Sequence, residues 1–226
     1  MRSVDKGPAP QSVYDPYQTA KRDLVAAIGD YCSYCERKIE HMGAVEHVQP
    51  KSAIPALATK WDNFLLGCVN CNSTKGSKVI DDTNIADYVF PDKDDTFALI
   101  EYDPVTCLPR PAVGLSDEIT AKVENLIALV GLDKPQSHVG TLEYMKMSDV
   151  RAEKRLSASQ QAEQYKHTFL SVPSEQKEVT LSLIMDIVKG VGFWSQWMRV
   201  MKDVPELAEA LWSVLPGTRR KAPACG

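Results

Sequence analysis

The segments YCSYCE (residues 31–36) and CVNCNSTKG (residues 68–76) each contain two cysteines separated by two residues. A Cys-x-x-Cys knuckle presents two thiolates at one point, and two knuckles complete a zinc tetrahedron with Zn–S bonds of about 2.3 Å. The two knuckles are separated by 32 residues. The sequence therefore predicts a structural zinc site with four ligands: Cys32, Cys35, Cys68 and Cys71.

Disulfide bonds are the competing interpretation of these cysteines, and they are disfavoured in a reducing compartment. A redox-active knuckle explains one pair and poorly explains two. Cys107 and Cys225 are solitary and are interpreted as ordinary thiols. Because the segment between the knuckles has few apolar residues, zinc binding is expected to stabilise it, by roughly 10–16 kcal/mol in comparable peptides.

Composition indicates a globular protein: the 226 residues are 44% hydrophobic and 25% charged. The sequence contains no apolar run of about 18 residues and no apolar N-terminal signal, so we expect a cytoplasmic protein without membrane association.

The net charge of −4 is unfavourable for binding a polyanion. Basic residues outnumber acidic ones in residues 32–80. Either this segment or a partner protein therefore provides the contacts to nucleic acid. An ordinary solvated surface would have a similar composition.

The N-terminal part predicts an extended arm (residues 1–14) and a helix that begins at Asp15-Pro16 and ends at Gly29. Residues 38–48 predict a β-hairpin whose second strand is residues 44–48, and a short polar helix is expected from about residue 72 to 78. This order is typical of a ββα module.

The rest of the chain predicts a second hairpin at residues 96–111, turning at Asp103-Pro104, and then helices. The first helix is expected to begin at Ser116 and end at Gly131. Further helices are predicted at about 141–170, 174–190, 193–203 and 205–214. The fold class is thus α+β, a zinc-stapled ββα core with a mainly helical C-terminal region, divided as residues 1–30, 31–80 and 81–226.

An aromatic cluster falls near the end of the helical region. Its members are Phe193, Trp194, Trp197 and Met198. Core packing between helices is the favoured interpretation, and a docking surface for a partner is the alternative.

Three polar motifs lie beside the knuckles: Glu46-His47, Asn63 and Asn72. A zinc ion that draws the knuckles together brings residues next to them close to one another. Imidazole can act as a base at neutral pH, and carboxylate and amide oxygens suit Mg²⁺ or Mn²⁺. The spacing therefore predicts a cluster of Glu46, His47 and Asn72, with Asn63 holding the imidazole or its loop.

Basic residues beside this cluster are candidates for binding phosphate. They are Lys51, Lys75 and Lys78. Each motif also has an ordinary explanation, because a Glu-His pair is often structural and asparagine often caps a helix. His41, His138 and His167 lack partners at useful spacing and are assigned no role.

These blocks resemble the HNH endonucleases, in the order YCSYCE, VEHVQPK (residues 45–51), WDNFLL (residues 61–66) and CVNCNSTKG. The resemblance implies that His47 is the general base, that Glu46 and Asn72 hold a catalytic Mg²⁺ or Mn²⁺, and that Asn63 orients the base. Two positions depart from the family pattern. Asn72 replaces a frequent histidine and Glu46 a frequent aspartate, so the all-oxygen ligand pair should favour Mg²⁺ over Zn²⁺.

More narrowly, the opening MRSVDKG (residues 1–7), the HNH blocks and the helical C-terminal half are similar to the PtuB-type HNH subunits of Septu anti-phage systems, which also accompany some retrons. This resemblance implies an immune nuclease in complex with a PtuA-like ATPase of the ABC/SMC type. DNA is expected as the substrate in preference to RNA. A stand-alone HNH restriction or nicking enzyme and a non-catalytic zinc module that binds nucleic acid or protein remain the alternatives.

Overall fold

The computed structural model describes residues 1–76, 78–134 and 149–220. Some residues named above lie outside the described part. They are the side chain of His41, residues 141–148 of the predicted helix, His138 and Cys225. The helices are α1 (Ala20–Ile28), α2 (Val69–Lys75), α3 (Thr96–Leu99), α4 (Asp117–Val130), α5 (Arg151–Ser171), α6 (Lys177–Val191), α7 (Trp194–Met201) and α8 (Pro205–Val214), and the strands are β1 (Ala44–His47), β2 (Phe64–Gly67), β3 (Ile100–Tyr102) and β4 (Pro109–Pro111).

Strand β1 pairs with β2 in an antiparallel ladder in which Ala44 lies opposite Gly67 and His47 opposite Phe64. The predicted hairpin over residues 38–48 is therefore wrong, since residues 40–42 form a single 3₁₀ turn. The reason is burial: every residue of β2 is buried. The apolar β2 can therefore pair with β1 in a buried sheet. The more polar segment before β1 is not suited to a buried strand.

Two helix boundaries also differ from the prediction. The chain forms a 3₁₀ turn at Tyr17–Thr19, and α1 begins at Ala20 rather than at Asp15-Pro16, although it ends at Gly29 as predicted. Helix α2 lies three residues earlier than expected because Cys68 is its N-cap, with Sγ accepting a hydrogen bond from the Cys71 N–H group at 3.5 Å. The second knuckle is thus the first turn of α2.

The later helices agree with the sequence, and the second hairpin agrees in part: residues 96–99, predicted as the start of its first strand, form α3, and the strand is confined to Ile100–Tyr102. Strands β3 and β4 pair antiparallel. Helix α4 has Ser116 as its N-cap, and Gly131 ends it in the left-handed conformation (φ 61°), which glycine adopts without steric cost. The described helices from residue 151 onward follow the predicted ones within a few residues, although residues 149 and 150, predicted to be helical, precede the helix. The α+β class, with a ββα core and a mainly helical C-terminal region, is confirmed.

The N-terminal residues are part of the core rather than a free arm. Met1, Arg2 and Val4 are buried, and Val4 forms a β-bridge with Thr218. One apolar cluster contains residues of this segment, of α1, of the ββα module and of α4. The boundaries proposed after residues 30 and 80 remain predictions, and the apolar core crosses both of them.

The aromatic cluster of the C-terminal region lies in the interior. Its four residues are at most 5% exposed and pack with α5, α6 and α8 in a second apolar core. This burial favours the interpretation as core packing over that of a docking surface. No helix of the described residues is long and apolar enough to cross a membrane.

Candidate metal centre and active-site cleft

The four knuckle cysteines meet at one point beneath α2. Their sulphur atoms lie within 4.8 Å of one another, and Cys35 Sγ is 3.6 Å from Cys68 Sγ. A tetrahedron with Zn–S bonds of about 2.3 Å has S–S edges of about 3.8 Å, so the separation fits a shared ion and excludes a covalent S–S bond for this pair. All four side chains are buried. The predicted cysteine cluster is therefore formed, and its donor set suits zinc.

Burial makes this cluster dependent on a cation. Desolvation raises the pKa of the Cys35 and Cys71 thiols well above its usual value. The buried guanidinium of Arg151 in α5 donates a hydrogen bond to Cys71 Sγ at 3.0 Å and also pairs with the Asp149 carboxylate at 2.7 Å. The same guanidinium donates to the carbonyl oxygens of Val130 and Gly131, each at 2.8 Å. Arg151 thereby joins the cysteine cluster to the end of α4, a contact that no sequence motif indicated.

Glu36 provides a second link between the first knuckle and the C-terminal helices. It is buried, and its carboxylate accepts hydrogen bonds from the Ser195 N–H group at 2.7 Å, the Ser195 hydroxyl at 2.6 Å and the Arg2 N–H group at 2.8 Å. The knuckle is thus attached to the first turn of α7, and this attachment was also missed from the sequence.

Glu46, His47 and Asn72 line one open cleft of about 260 Å³ beside α2. Glycine at position 67 makes this approach possible: a Cβ atom there would lie 3.2 Å from Glu46 Cβ and 3.7 Å from Asn72 Cβ. Glu46 and Asn72 therefore flank the same glycine from β1 and α2. The structure brings together the three residues that the spacing predicted to be neighbours.

The orientation of His47 is set by one hydrogen bond and two rings. Its Nε2 lies 3.0 Å from the Ala58 carbonyl oxygen, which can only accept, so Nε2 carries the proton and Nδ1 keeps its lone pair. The rings of Tyr17 and Phe64 contact the imidazole edge-on, at 4.6 and 5.2 Å between centroids. Burial lowers the pKa of His47 below its usual value, opposed by the bond to Ala58. The imidazole is therefore neutral at pH 7.

Asn63 holds the loop beneath the histidine and does not bond the imidazole. Its side-chain oxygen accepts a hydrogen bond from the Gln49 N–H group at 2.8 Å, and its amide nitrogen donates to the carbonyl oxygens of Gln49 and Leu57 at 2.9 and 3.2 Å. The loop that ends with Ala58 is thus tied to the start of β2. Of the two roles expected for Asn63, the geometry favours fixing the loop.

Lys6 supports the turn Trp61–Asn63 that precedes β2, a role that was not predicted from the sequence. Its ammonium group donates to three backbone carbonyl oxygens, those of Trp61, Asp62 and Phe64, at 3.2, 3.3 and 2.7 Å. It also forms an ion pair with the buried Asp92 at 2.9 Å. Burial lowers the pKa of Lys6, opposed by the Asp92 charge. A lone lysine near the N-terminus carries no signal of this role, which depends on a contact across 55 residues.

Lys75 occupies a different position from the one expected. It is 2% exposed, and its ammonium group lies 2.8 Å from Glu46 Oε1 and donates to the His47 carbonyl oxygen at 2.7 Å. Burial raises the pKa of Glu46, and the Lys75 charge opposes that rise. The expected surface contact of Lys75 with phosphate does not fit this burial. Its amine instead holds the end of β1 against α2.

Replacing Lys75 by methionine is expected to destabilise the protein by about 3–5 kcal/mol, because it leaves a buried carboxylate without its partner. Urea unfolding of zinc-loaded protein would measure the loss, and added Mg²⁺ or Mn²⁺ should restore part of it if Glu46 binds the ion. Lys202→Met is the control, because Lys202 is an exposed lysine whose loss should change stability by about 0.5 kcal/mol or less. Equal stabilities of the two variants would contradict a buried Glu46–Lys75 pair.

The other two lysines predicted to bind phosphate are exposed. The Lys51 ammonium group lies 4.5 Å above the centre of the Tyr17 ring at the rim of the cleft. Lys78 lies beyond α2, with Nζ 3.5 Å from the Ala128 carbonyl oxygen. Lys51 is therefore positioned at the cleft, whereas Lys78 lies toward α4. Tyr17, which the sequence indicated only as a helix position, is a wall of the cleft.

The antiparallel strands β1 and β2, helix α2 and the buried cysteine cluster define a ββα module that can hold a structural metal and presents a histidine, a carboxylate and an amide in one cleft. Residues 32–78 match the family model described as HNH endonuclease. The match runs from the first knuckle to just beyond α2 and supports a nuclease that acts on nucleic acid. A search of curated proteins found no match to the chain.

Proposed function

We propose that the protein is a metal-dependent endonuclease that hydrolyses phosphodiester bonds in nucleic acid, with DNA preferred over RNA. The observation that carries the proposal is the shared cleft of Glu46, His47 and Asn72 within a segment that matches the HNH endonucleases. His47 is the general base, because a neutral imidazole with a free Nδ1 lone pair can accept the proton of an attacking water.

Glu46 and Asn72 would hold the catalytic cation. Their hard oxygen donors suit Mg²⁺ or Mn²⁺, and their side chains flank Gly67 on the cleft wall. When bound, such an ion stabilises negative charge on the phosphate and on the leaving oxygen. The remaining residues have positioning roles. Asn63 holds the loop that carries Ala58, and Lys6 holds the turn before β2. Lys75 holds β1 against α2, and Lys51 faces the approaching phosphate from the rim.

The cation requirement can be tested on zinc-loaded protein with plasmid DNA and with single-stranded DNA and RNA. Cleavage is expected with Mg²⁺ or Mn²⁺ and is expected to fall to background when a chelator removes the weakly bound ion while the cysteine site keeps its zinc. Asn72→Ala should raise the Mg²⁺ concentration needed for half-maximal cleavage, with zinc content unchanged. Cleavage that is indifferent to divalent ions and to Asn72 would contradict the proposal and favour a contaminating nuclease.

We further propose that the nuclease works as the effector subunit of a Septu-type anti-phage complex with a PtuA-like ABC/SMC ATPase. The support is the resemblance of the opening residues and the helical half to PtuB-type subunits, together with the net charge of −4, which suits a nuclease that obtains part of its nucleic-acid grip from a partner. Co-purification with the product of the neighbouring gene tests this assignment. Full plasmid cleavage by the isolated chain at physiological salt, with no stable complex, would favour a stand-alone HNH enzyme.

A further inference from the structure

Two shallow depressions continue the catalytic cleft along α2. The cleft shares Asn72 and Gly76 with a depression of about 240 Å³. That depression shares Met42 and Val69 with a third one, of about 310 Å³, which reaches the first knuckle. The three depressions adjoin one another, and we refer to them together as the α2 groove, from His47 past Asn72, Met42 and Val69 to Arg37 and Lys38. His47 lines only the first of the three depressions, and Asn72 lines the first and the second.

Charge along the α2 groove is positive although the chain is acidic. Arg37 and Lys38 lie at the far end and Lys51 at the catalytic end, whereas Lys75 and Glu46 neutralise each other. Glu40 is the one carboxylate at the far end among the described lining residues. The Arg37 guanidinium is oriented by a hydrogen bond to Asn70 Oδ1 at 3.3 Å. A groove with basic residues at both ends is complementary to a chain of phosphates.

The middle of the groove is apolar and exposed. Met42 is 70% exposed and Val69 is 63% exposed, and both line the two depressions that lie beyond the catalytic cleft. Side chains of this kind gain little from a phosphate backbone, but they can pack against the flat face of an unstacked base. A base-paired duplex hides those faces inside its stack, whereas an unpaired strand presents them.

We propose that the α2 groove holds one unpaired nucleic-acid strand on one side of the scissile phosphate, with bases against Met42 and Val69 and phosphates near Arg37 and Lys38. The proposal rests on the nuclease function and specifies its substrate as single-stranded or locally unpaired nucleic acid. It also gives the first knuckle a second role, since Arg37 and Lys38 lie two and three residues after Cys35.

Binding can be measured apart from cleavage, by fluorescence anisotropy with zinc-loaded protein, no Mg²⁺ or Mn²⁺, and a labelled oligonucleotide either alone or annealed to its complement. The single strand is expected to bind more tightly than the duplex. Arg37→Gln/Lys38→Gln should reduce the slope of log Kd against log salt by about 1.4, because each phosphate contact to a single strand contributes about 0.7. Met42→Ser/Val69→Ser should weaken single-strand binding by about fivefold, because serine offers little apolar surface for a base to pack against.

Two matched controls separate the groove from general surface effects. Val179→Ser/Leu183→Ser removes apolar side chains of similar exposure (64% and 59%) from α6, and Arg110→Gln/Lys202→Gln removes two exposed cations far along the chain. Neither should change the Kd or its salt dependence beyond error. Groove variants that behave like these controls, or a duplex that binds as tightly as the single strand, would overturn the proposal. Strand binding through the groove without any metal-dependent cleavage would instead contradict the nuclease function alone.

Discussion

His47→Ala is expected to lower the rate of phosphodiester cleavage by roughly 10²–10⁴-fold, the contribution of a positioned general base. The reason lies in the geometry of the imidazole. The bond from Nε2 to the Ala58 carbonyl oxygen leaves the Nδ1 lone pair free, and burial keeps the ring neutral at pH 7. Alanine removes the base but leaves Glu46 and Asn72, so cation binding should persist.

The measurement is single-turnover cleavage of a labelled substrate at saturating Mg²⁺, together with zinc content and thermal unfolding. His167→Ala is the matched control, because His167 is an exposed histidine of α5. It should cleave at the wild-type rate. Undiminished cleavage by folded His47→Ala protein would disprove the role of His47 as the general base.

Cys68→Ser is expected to abolish stoichiometric zinc binding and to unfold the ββα module. Three thiolates cannot complete the tetrahedron, and zinc binding in comparable modules is worth roughly 10–16 kcal/mol, which is as large as the whole stability of a typical domain. The structure adds a second consequence. Cys71 contacts Arg151 of α5, and Glu36 beside Cys35 contacts Ser195 of α7, so loss of the cluster should also lower the stability of the helical region.

Zinc stoichiometry and circular dichroism melting would measure both effects. Cys107→Ala is the control, since Cys107 is buried outside the cluster; this variant should keep its zinc and lose only about 1–2 kcal/mol. A Cys68→Ser protein that melts cooperatively at the wild-type temperature would show that apolar packing, rather than metal, holds the module together.

Local sequence patterns were sufficient to predict those features of the structure that depend on residues close together in the sequence. The Cys-x-x-Cys spacing indicated the cysteine cluster because two residues between thiolates fix their separation. Helix α4 followed from its apolar period and from its end signals, Ser116 and Gly131, which act within one turn. The neighbourhood of Glu46, His47 and Asn72 was also predictable, since each residue adjoins a segment that the cysteines bring together.

Errors arose where the partner lay far away in the chain. The pattern of residues 44–48 indicated a strand but not which segment pairs with it, so the distant β2 was missed. Lys75 was expected at the surface because a lysine usually is, yet its pairing with Glu46 across 29 residues places it in the interior. The contacts of Lys6, Glu36 and Arg151 likewise join segments that are distant in sequence.

The amino-acid sequence by itself determined the kind of chemistry available to this protein: four thiolates for a structural ion, and an imidazole beside two oxygen donors for a hydrolytic site. Only the tertiary structure decided which of these groups share a cleft, which cations are buried supports and which remain exposed along the α2 groove. The physical reason is that residue type limits what an atom can donate, accept or ionise, whereas burial and neighbours, which follow from packing across the whole chain, decide whether it does so.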